Sequence, residues 1–398
     1  LKMITTINNK HKKLNVPNLR FPEFQGEWEK KSLGEIGDSF IGLTYRPTDV
    51  VSEGGLIVFR SSNIQNGCMD YKDIVRVNKN VKEKLITKKD DLLVCARNGS
   101  ARLIGKNAIL HETDANQTFG AFMMVFRSDK NHFVHQLLNT RRYSSQVSEN
   151  LGARINQITS SDLSSFEFFF PKENNEMNKI SALLDLLDER IATQNKIIED
   201  LKKLKSAIIE KLYSEIQGKE YSYRQLFEII NERNNRLEFS NVLSASQERG
   251  MVSREDLNLD IKFERSNINT YKIVRNGDYV IHLRSFQGGF AFSDIVGVCS
   301  PAYTIMRPKD LLEYGYLSYY FTSRQFIKSL VIVTYGIRDG RSINVDEWFD
   351  MKIVIPTKEQ QRHIVRTIKV FENKIENEEM YASCLLKQKQ HLLRQMFI

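Results

Sequence analysis

The chain has 398 residues, of which 41% are hydrophobic and 27% charged, with 58 Lys and Arg against 49 Asp and Glu. This length excludes one small domain and fits two or three, and the apolar content excludes a disordered chain. The longest apolar runs, such as residues 166–170, are far shorter than the roughly 20 residues of a bilayer span, so we expect no membrane contact. The net charge of +9 favours a polyanionic partner, although ordinary solubilising charge is an equal alternative.

Cysteine spacing and the N-terminal stretch predict a cytoplasmic protein. Cys68, Cys95, Cys299 and Cys384 form no CxxC pair, which is typical of reduced thiols. The basic start of the chain lacks the apolar run of about 7 to 15 residues that a secretion signal needs.

Short strands and helices follow one another without regular alternation. In chain order, the patterns predict strands at residues 56–59, 91–96, 122–126, 166–170, 278–282, 303–306 and 351–355. Helical patterns cover residues 131–151 and 313–332. We therefore expect the α+β fold class, with mixed α/β domains.

Two long helical segments have matching heptads. Residues 180–213 superpose without a gap on residues 364–397 after a shift of 184 positions, with alternating apolar spacings of 4 and 3. The predicted helix–helix seam comprises Ile180, Leu184, Leu187, Ile191, Leu201, Ile208, Leu212, Ile364, Ile368, Phe371, Ile375, Leu385, Leu392 and Met396. Such a period predicts two helices, each roughly 60 Å long, that pack on each other. The alternative is that each helix lies on the surface of one domain.

The similarity extends upstream of both helices. Asp91 aligns with Asp278, and Ile158 and Ile343 each precede a proline by 13 residues. The sequence therefore predicts a tandem duplication: a globular half, a long helix, a second globular half and a second long helix. The lysines Lys205 and Lys389 correspond within the seam, where a polar pair can fix register.

Catalytic motifs are missing from this sequence. The string from Gly99 fails the phosphate-loop pattern, and no GxGxxG motif follows a strand. His132 and His135 lack further ligands at zinc-like spacing and are interpreted as surface histidines. We expect neither catalysis nor a bound cofactor or metal in this chain alone.

Most of the positive charge lies in the globular halves. The helical segments 173–213 and 358–398 carry −1 and +3, which leaves +7 elsewhere. Loop-like strings in both halves are rich in Arg, Asn, Gln and Ser, the residue types that contact bases and phosphates. The candidate DNA-binding residues are Arg60, Ser62, Asn63, Gln65, Arg97, Asn98, Arg102, Arg154, Asn156, Gln247, Arg249, Arg284, Gln287, Arg338, Arg341 and Asn344. Solvated turns are the alternative interpretation of each string.

The strings "VPNLRFPEFQGEWEKKSLGEI", "NKISALLDLLDERI" and "IVIPTKEQQRHIV…LLKQKQHLLRQMF" together resemble the specificity subunit of type I restriction-modification enzymes. The resemblance implies target-recognition domains at 14–172 and 216–357, and conserved spacer helices at 173–215 and 358–398 that pack as an antiparallel coiled coil with pseudo-two-fold symmetry. One departure is Met177, where the second repeat has a glutamine.

The resemblance also implies the partners. Each recognition domain would read one half of a bipartite, asymmetric site in double-stranded DNA. Two methyltransferase subunits would bring S-adenosylmethionine, and two restriction subunits would use ATP and Mg. A structural scaffold that joins two protein-binding domains is the competing hypothesis, and a self-sufficient nuclease or methylase is a third.

Overall fold

The computed structural model describes residues 4–5, 14–151, 156–246, 249–257, 265–282, 289–335 and 342–398. Two compact units divide the chain: the first comprises Leu1–Lys196 with Met380–Ile398, and the second Ile197–Glu379. Each unit contains one globular half and one end of each long helix. The four sequence-based domain boundaries stay a prediction. They divide the chain at the ends of the long helices, whereas the two compact units divide it within those helices. No helix in the described ranges could cross a bilayer.

The first unit is built around two four-stranded sheets. Its strands are β1 (Ile4–Thr5), β2 (Leu19–Arg20), β3 (Glu29–Ser32), β4 (Asp38–Ile41), β5 (Val50–Val51), β6 (Leu56–Phe59), β7 (Ile64–Gln65), β8 (Cys68–Met69), β9 (Arg76–Val77), β10 (Leu92–Cys95), β11 (Asn107–Ile109), β12 (Thr118–Phe119), β13 (Met123–Arg127) and β14 (Glu167–Phe170). One sheet has the order β11-β10-β13-β4 and the other β12-β6-β9-β5.

The helices of the first globular half are short. They are α1 (Asn131–Leu137), α2 (Arg141–Leu151) and α3 (Ser160–Ser165), and the 3-10 turns are Leu33–Glu35, Pro47–Asp49, Ser61–Asn63, Glu83–Leu85, Ala101–Leu103 and Glu112–Asp114. The predicted alternation in β14 is present: Phe168 and Phe170 are buried in the core, while Glu167 is exposed.

The first long helix, α4 (Asn174–Ser214), leads into the second globular half. The strands there are β15 (Lys219–Ser222), β16 (Phe227–Ile230), β17 (Leu243–Ser246), β18 (Gly250–Ser253), β19 (Lys272–Val274), β20 (Tyr279–Ile281), β21 (Phe290–Phe292), β22 (Gly297–Cys299), β23 (Thr304–Pro308), β24 (Thr334–Tyr335), β25 (Ser342–Ile343) and β26 (Lys352–Ile355). The helices are α5 (Tyr223–Leu226), α6 (Tyr316–Tyr320), α7 (Arg324–Ser329), α8 (Val345–Asp350) and the second long helix, α9 (Lys358–Met396), with 3-10 turns at Arg254–Leu257, Arg265–Thr270 and Leu330–Val333.

The two halves repeat one scaffold, which confirms the α+β class and the tandem repeat. The sheet order β11-β10-β13-β4 of the first unit recurs as β21-β20-β23-β16 in the second. The strand before each long helix, β14 or β26, pairs antiparallel with a strand near the start of its half, β3 or β15. Asp91 and Asp278 are both buried, and each binds an arginine of the next strand of its sheet, Arg127 or Arg307, through two hydrogen bonds of 2.6–3.0 Å.

The long helices pack antiparallel within each unit. In the first unit, Leu184 of α4 lies in the core that contains Leu393 of α9, and Ile191 of α4 clusters with Leu385 of α9. Later residues of α4 therefore meet earlier residues of α9. In the second, Lys202 and Lys205 of α4 pair with Glu379 and Glu372 of α9.

The predicted seam positions are all removed from solvent to some degree. Ile180, Leu184, Leu187, Ile191, Ile364, Ile368, Ile375, Leu385 and Met396 are buried, and Leu201, Ile208, Leu212, Phe371 and Leu392 are half-buried. The heptads did not indicate Ile209, Tyr213 and Val365, which are buried as well. These three pack into the core of the second globular half, because a helix end against a domain buries a wider stripe than a coiled-coil seam does.

The departure at Met177 changes how α4 is anchored. In α9 the buried Gln361 donates hydrogen bonds to the carbonyls of Leu311 and Pro356, at 3.0 Å each. Met177 lies in the apolar core of the first unit instead. The polar contacts move one position earlier, to the buried Glu176, which accepts two hydrogen bonds from Arg20 at 2.7 and 2.8 Å.

Candidate nucleic-acid interface

Three loop segments of the first half that contain candidate residues meet at one surface: those with Ser61, Asn98 and Asn156. The Asn98 side chain donates a hydrogen bond to Ser61 Oγ (3.0 Å), and the Asn156 side chain donates one to the carbonyl of Gly99 (3.2 Å). Ser61 follows β6, Asn98 follows β10, and Asn156 lies beyond α2. The sequence strings are thus far apart in the chain and adjacent in space.

An exposed aromatic ring completes this surface. The guanidinium carbon of Arg97 lies 5.2 Å from the centre of the Phe122 ring, and Phe122 is 58% exposed. The backbone N–H of Arg97 donates to the Phe122 carbonyl (3.0 Å), which fixes the two residues together. Phe122 was not among the residues selected from the sequence. Its position between Gly120 and a buried strand could have indicated an exposed loop residue. We call Ser61, Arg97, Asn98, Phe122 and Asn156 the loop surface.

The loop surface offers both polar and flat groups. Arg97 and Phe122 are exposed, and Asn98 and Asn156 are half-buried. Asn156 has a positive φ of 46°, a conformation that asparagine tolerates better than most residues and that is frequent at functional sites. Guanidinium and amide groups match base edges, and a ring face can contact a base or a sugar.

The other candidates of the first half differ in the exposure of their side chains and in the contacts that these already make. Ser62 is half-buried, Arg102 is exposed, and the exposed Gln65 donates to the Ser62 carbonyl at 3.2 Å. The Arg60 guanidinium pairs with Asp73 at 2.6 Å. A base contact would require this pair to separate.

Asn63 is a correction to the candidate set. Its side chain is fully buried, its oxygen accepts the Arg60 N–H (2.9 Å), and its amide donates to the carbonyls of Asp70 (3.0 Å) and Asp73 (2.9 Å). Both polar atoms of the buried amide bind groups inside the protein, so Asn63 holds its turn against the segment 70–73 and is not accessible to a base.

The second half is described only in part. Arg154 of the first half and Gln247, Arg284, Gln287, Arg338 and Arg341 of the second lie outside the described residues. Arg249 is exposed beside the β17–β18 hairpin. Asn344 caps α8: its oxygen accepts the Glu347 N–H (3.4 Å), and its amide donates to the Glu347 carboxylate (2.8 Å).

The long helices and globular halves are joined by matching polar contacts. In the first unit, Asp188 of α4 binds Lys389 of α9 (2.5 Å) and the Gln136 side chain of α1 (3.0 Å). In the second unit, Glu372 of α9 binds Lys205 of α4 (3.2 Å), and Tyr319 of α6 donates to Glu372 (2.7 Å). The 184-residue shift carries Asp188 to Glu372 and Lys205 to Lys389, so each repeat supplies the acid to one pair and the lysine to the other.

The surface interpretation was wrong for His135. Its ring is only 5% exposed, because α1 packs against α4, and burial together with the charge of Lys389 lowers the pKa of His135 to about 4. His132 is half exposed and binds Asp185 at 2.6 Å, a hydrogen bond that raises the pKa of His132. Nitrogen and oxygen atoms of His135, Asp185 and Asp188 lie within 4.8 Å of one another. Lys389 and Gln136 already bind the carboxylate oxygens there, so these contacts join helix to domain.

The sequence of this chain is similar to those of known proteins of one kind. A family model described as "Type I restriction modification DNA specificity domain" matches residues 25–203. The chain is 23% identical over 370 residues to the type I restriction enzyme EcoKI specificity subunit of Escherichia coli K12, an alignment that covers 82% of this chain and 78% of that protein. It is 27% identical over 195 residues to the StySPI specificity subunit of Salmonella potsdam, covering 46% and 42% of the two chains.

Solved structures share the fold. The crystal structure of a type I restriction-modification S subunit from M. genitalium superposes with a TM-score of 0.56 at 15% identity, over 96% of this chain and 99% of that one. A chain from a structural study of complex assembly and conformational transition of the type I R-M system gives a TM-score of 0.54 at 14% identity, over 92% and 96%.

Proposed function

We propose that the chain is a specificity subunit of the type I restriction-modification family, whose members it resembles, and that it reads DNA with its two globular halves. Each globular half reads one half of a bipartite, asymmetric site in double-stranded DNA. The chain is a non-catalytic component of its complex. Partner modification subunits bind S-adenosylmethionine and methylate adenine, and restriction subunits, when joined, use ATP and Mg to cleave.

One observation carries this proposal: the two halves share a scaffold but not their loops. The pairs Asp91–Arg127 and Asp278–Arg307 occupy matching strands. The strings that follow β10 and β20 differ in sequence, "ARNGSAR" against "HLRSFQGG". A retained framework with divergent loops is what two heads that read unlike half-sites require, because base contacts come from loop side chains while the framework only positions them.

The long helices fix the distance between the half-sites in this proposal. Helices of 41 and 39 residues are each roughly 60 Å long. The matched pairs Asp188–Lys389 and Lys205–Glu372 support a fixed register, since a slip of either helix would break both.

Replacing Arg97 by Ala is expected to weaken recognition of one half-site only. A bidentate base contact contributes about 1–3 kcal/mol of discrimination, so affinity should fall roughly 5- to 150-fold at that half-site. The measurement is binding of the assembled methyltransferase complex to duplexes altered in one half-site at a time. Arg190→Ala, which removes an exposed arginine of α4, is the matched control and should leave both half-sites unchanged. Equal weakening at both half-sites would instead assign Arg97 to phosphate binding or to folding.

The proposal places one modification subunit on each repeat of the helices. Exposed apolar side chains recur at the same repeat positions: Leu186 and Val370 are 65% and 66% exposed, and Ile197 and Tyr381 are also exposed. Single exposed apolar side chains are normal on a protein surface, whereas these recur at matching positions of the two repeats. Their recurrence supports two copies of one partner.

Charged substitutions at these positions are expected to remove partners one at a time. Leu186→Glu or Val370→Glu alone should leave one modification subunit bound, and the double variant none, because a buried unpaired carboxylate in an interface costs several kcal/mol. Native mass spectrometry of the assembled complex gives the stoichiometry. Leu204→Glu is the control, since its repeat position is Gln388 and the exposed leucine does not recur. Two bound subunits in the double variant would contradict this assignment.

A further inference from the structure

The first unit contains an open cleft of about 760 Å³. Its walls are the segment 101–107 after β10, the helix α2 with the turn before it, and the last turns of α9. A recognition half and a spacer helix therefore line the same cleft. Its lining includes Arg102, which follows Asn98 of the loop surface by four residues.

The charged side chains that line this cleft have one sign. Among the described residues, its lining includes Arg102, Lys106, Arg141, Arg142 and Arg394 and no Asp or Glu side chain. The remaining polar side chains of the lining are neutral: Asn107, Asn139, Thr140, Tyr143, Ser144, Ser148 and Gln390. A cleft with cations on several walls and low-dielectric surfaces between them concentrates positive potential, so it favours an anion.

Three of these cations are available to a ligand. Arg102, Arg141 and Arg394 are exposed and form no ion pair with a described carboxylate, although Arg394 donates its Nε–H to the Gln390 carbonyl of its own helix (3.1 Å). The other two are half-buried and bind other segments of the chain: Arg142 donates to the Glu167 carbonyl (2.8 Å), and Lys106 donates to the Ser61 carbonyl (3.3 Å). The available guanidinium groups come from three different elements, an arrangement suited to an extended anion more than to a single small one.

The cation of α9 is not repeated in α4. The 184-residue shift places Arg394 on Glu210, and the Glu210 carboxylate accepts a hydrogen bond from the backbone N–H of Arg324 (2.5 Å). An acidic group thus stands at the equivalent helix end. The arginine that α9 supplies to the cleft therefore has no counterpart at this position of α4.

We propose that this cleft binds the sugar–phosphate backbone of the DNA next to the half-site that the first unit reads. Arg102 and Arg141 contact the strand from the recognition half, and Arg394 contacts it from the spacer helix. This inference rests on the proposed function, and it assigns a sequence-independent phosphate clamp to one half-site of the two. The clamp would hold the end of the spacer helix on the DNA that flanks the first half-site on its outer side.

The test is a salt series on the complex assembled with its modification subunits. The probes are a duplex that extends past both half-sites and a duplex cut back beside the first half-site. Arg141→Gln, Arg394→Gln and the double variant are compared with Lys387→Gln, which removes an exposed cation of the same helix outside the cleft. Binding is followed by fluorescence anisotropy at several salt concentrations.

The clamp predicts a several-fold loss of affinity for each variant on the long duplex, the same for every sequence. The slope of log affinity against log salt should become shallower by about 1 for each arginine removed. On the duplex cut back beside the first half-site, wild type and variants should bind alike. The Lys387→Gln control should follow wild type throughout.

Two other outcomes separate the possible failures. If wild type binds its site and the double variant keeps the wild-type affinity and salt slope, the cleft proposal is wrong while the proposed function stands. If wild type binds no duplex more tightly than any other at physiological salt, the proposed function itself fails.

Discussion

Removing seven residues from each long helix at matching positions, 193–199 and 377–383, is expected to shorten the preferred DNA spacer and leave both half-sites unchanged. Seven residues at 1.5 Å each amount to about 10.5 Å, or about 3 base pairs at 3.4 Å per step. A full heptad keeps the seam facing its partner. The pairs Asp188–Lys389 and Lys205–Glu372 lie outside the deleted segments and stay in register.

The expected effect on the original site is large. A complex that engages one half-site loses the base contacts of the other, so affinity for the original spacing should fall at least 100-fold. The measurement is a selection from duplexes with randomised spacer length, using the assembled methyltransferase complex. Deleting residues 193–199 alone is the control: α4 would then be out of register with α9, and we expect lost stability without a new spacer preference. An unchanged spacer in the matched deletion would refute the ruler role.

Asp91→Asn is expected to lower the free energy of unfolding of the first unit by about 2–4 kcal/mol. The Asp91 carboxylate is buried and accepts two hydrogen bonds from Arg127 and one from the Lys88 N–H (2.8 Å). Removing its charge leaves the guanidinium without its anion in a partly buried position. Asp278→Asn should have the corresponding effect on the second unit, since Asp278 accepts from Arg307 and from the Arg275 N–H (2.9 Å).

The chain has a natural reporter for each unit. Its two tryptophans are Trp28 in the first unit and Trp348 in the second, and both are buried. Urea unfolding followed by fluorescence in a Trp348→Phe background therefore reports the first unit alone, and a Trp28→Phe background reports the second. The Asp91→Asn shift should be confined to the Trp28 signal, and Arg127→Met should add less than its own separate effect to it. Equal shifts in both tryptophan signals, or full additivity, would contradict the account.

The tandem repeat and its shared scaffold could be predicted from the sequence. The shift of 184 residues is carried by local heptads, and the match of Asp91 with Asp278 corresponds to the same buried ion pair in both units. Such features are readable because periodicity and short apolar strings are local properties of the chain. The similarity of the solved structures shows the same fold.

Features that depend on tertiary packing could not be predicted in the same way. His135 is buried by a helix about 50 positions away, and the Asn63 amide donates to the carbonyls of Asp70 and Asp73. Phe122 is exposed although an aromatic beside a strand usually packs inside. For these three residues, burial or exposure of the side chain is decided by tertiary contacts, and a single sequence does not show those contacts.

The central claim is that two unlike heads on one duplicated framework read two unlike half-sites at a set distance. Mapping methylated adenines by long-read sequencing, in cells that express this chain with its modification subunit, tests it most directly. The account predicts one split motif with two different specified halves and an unspecified spacer of constant length. A single continuous motif, or two halves that occur at variable distances, would contradict it.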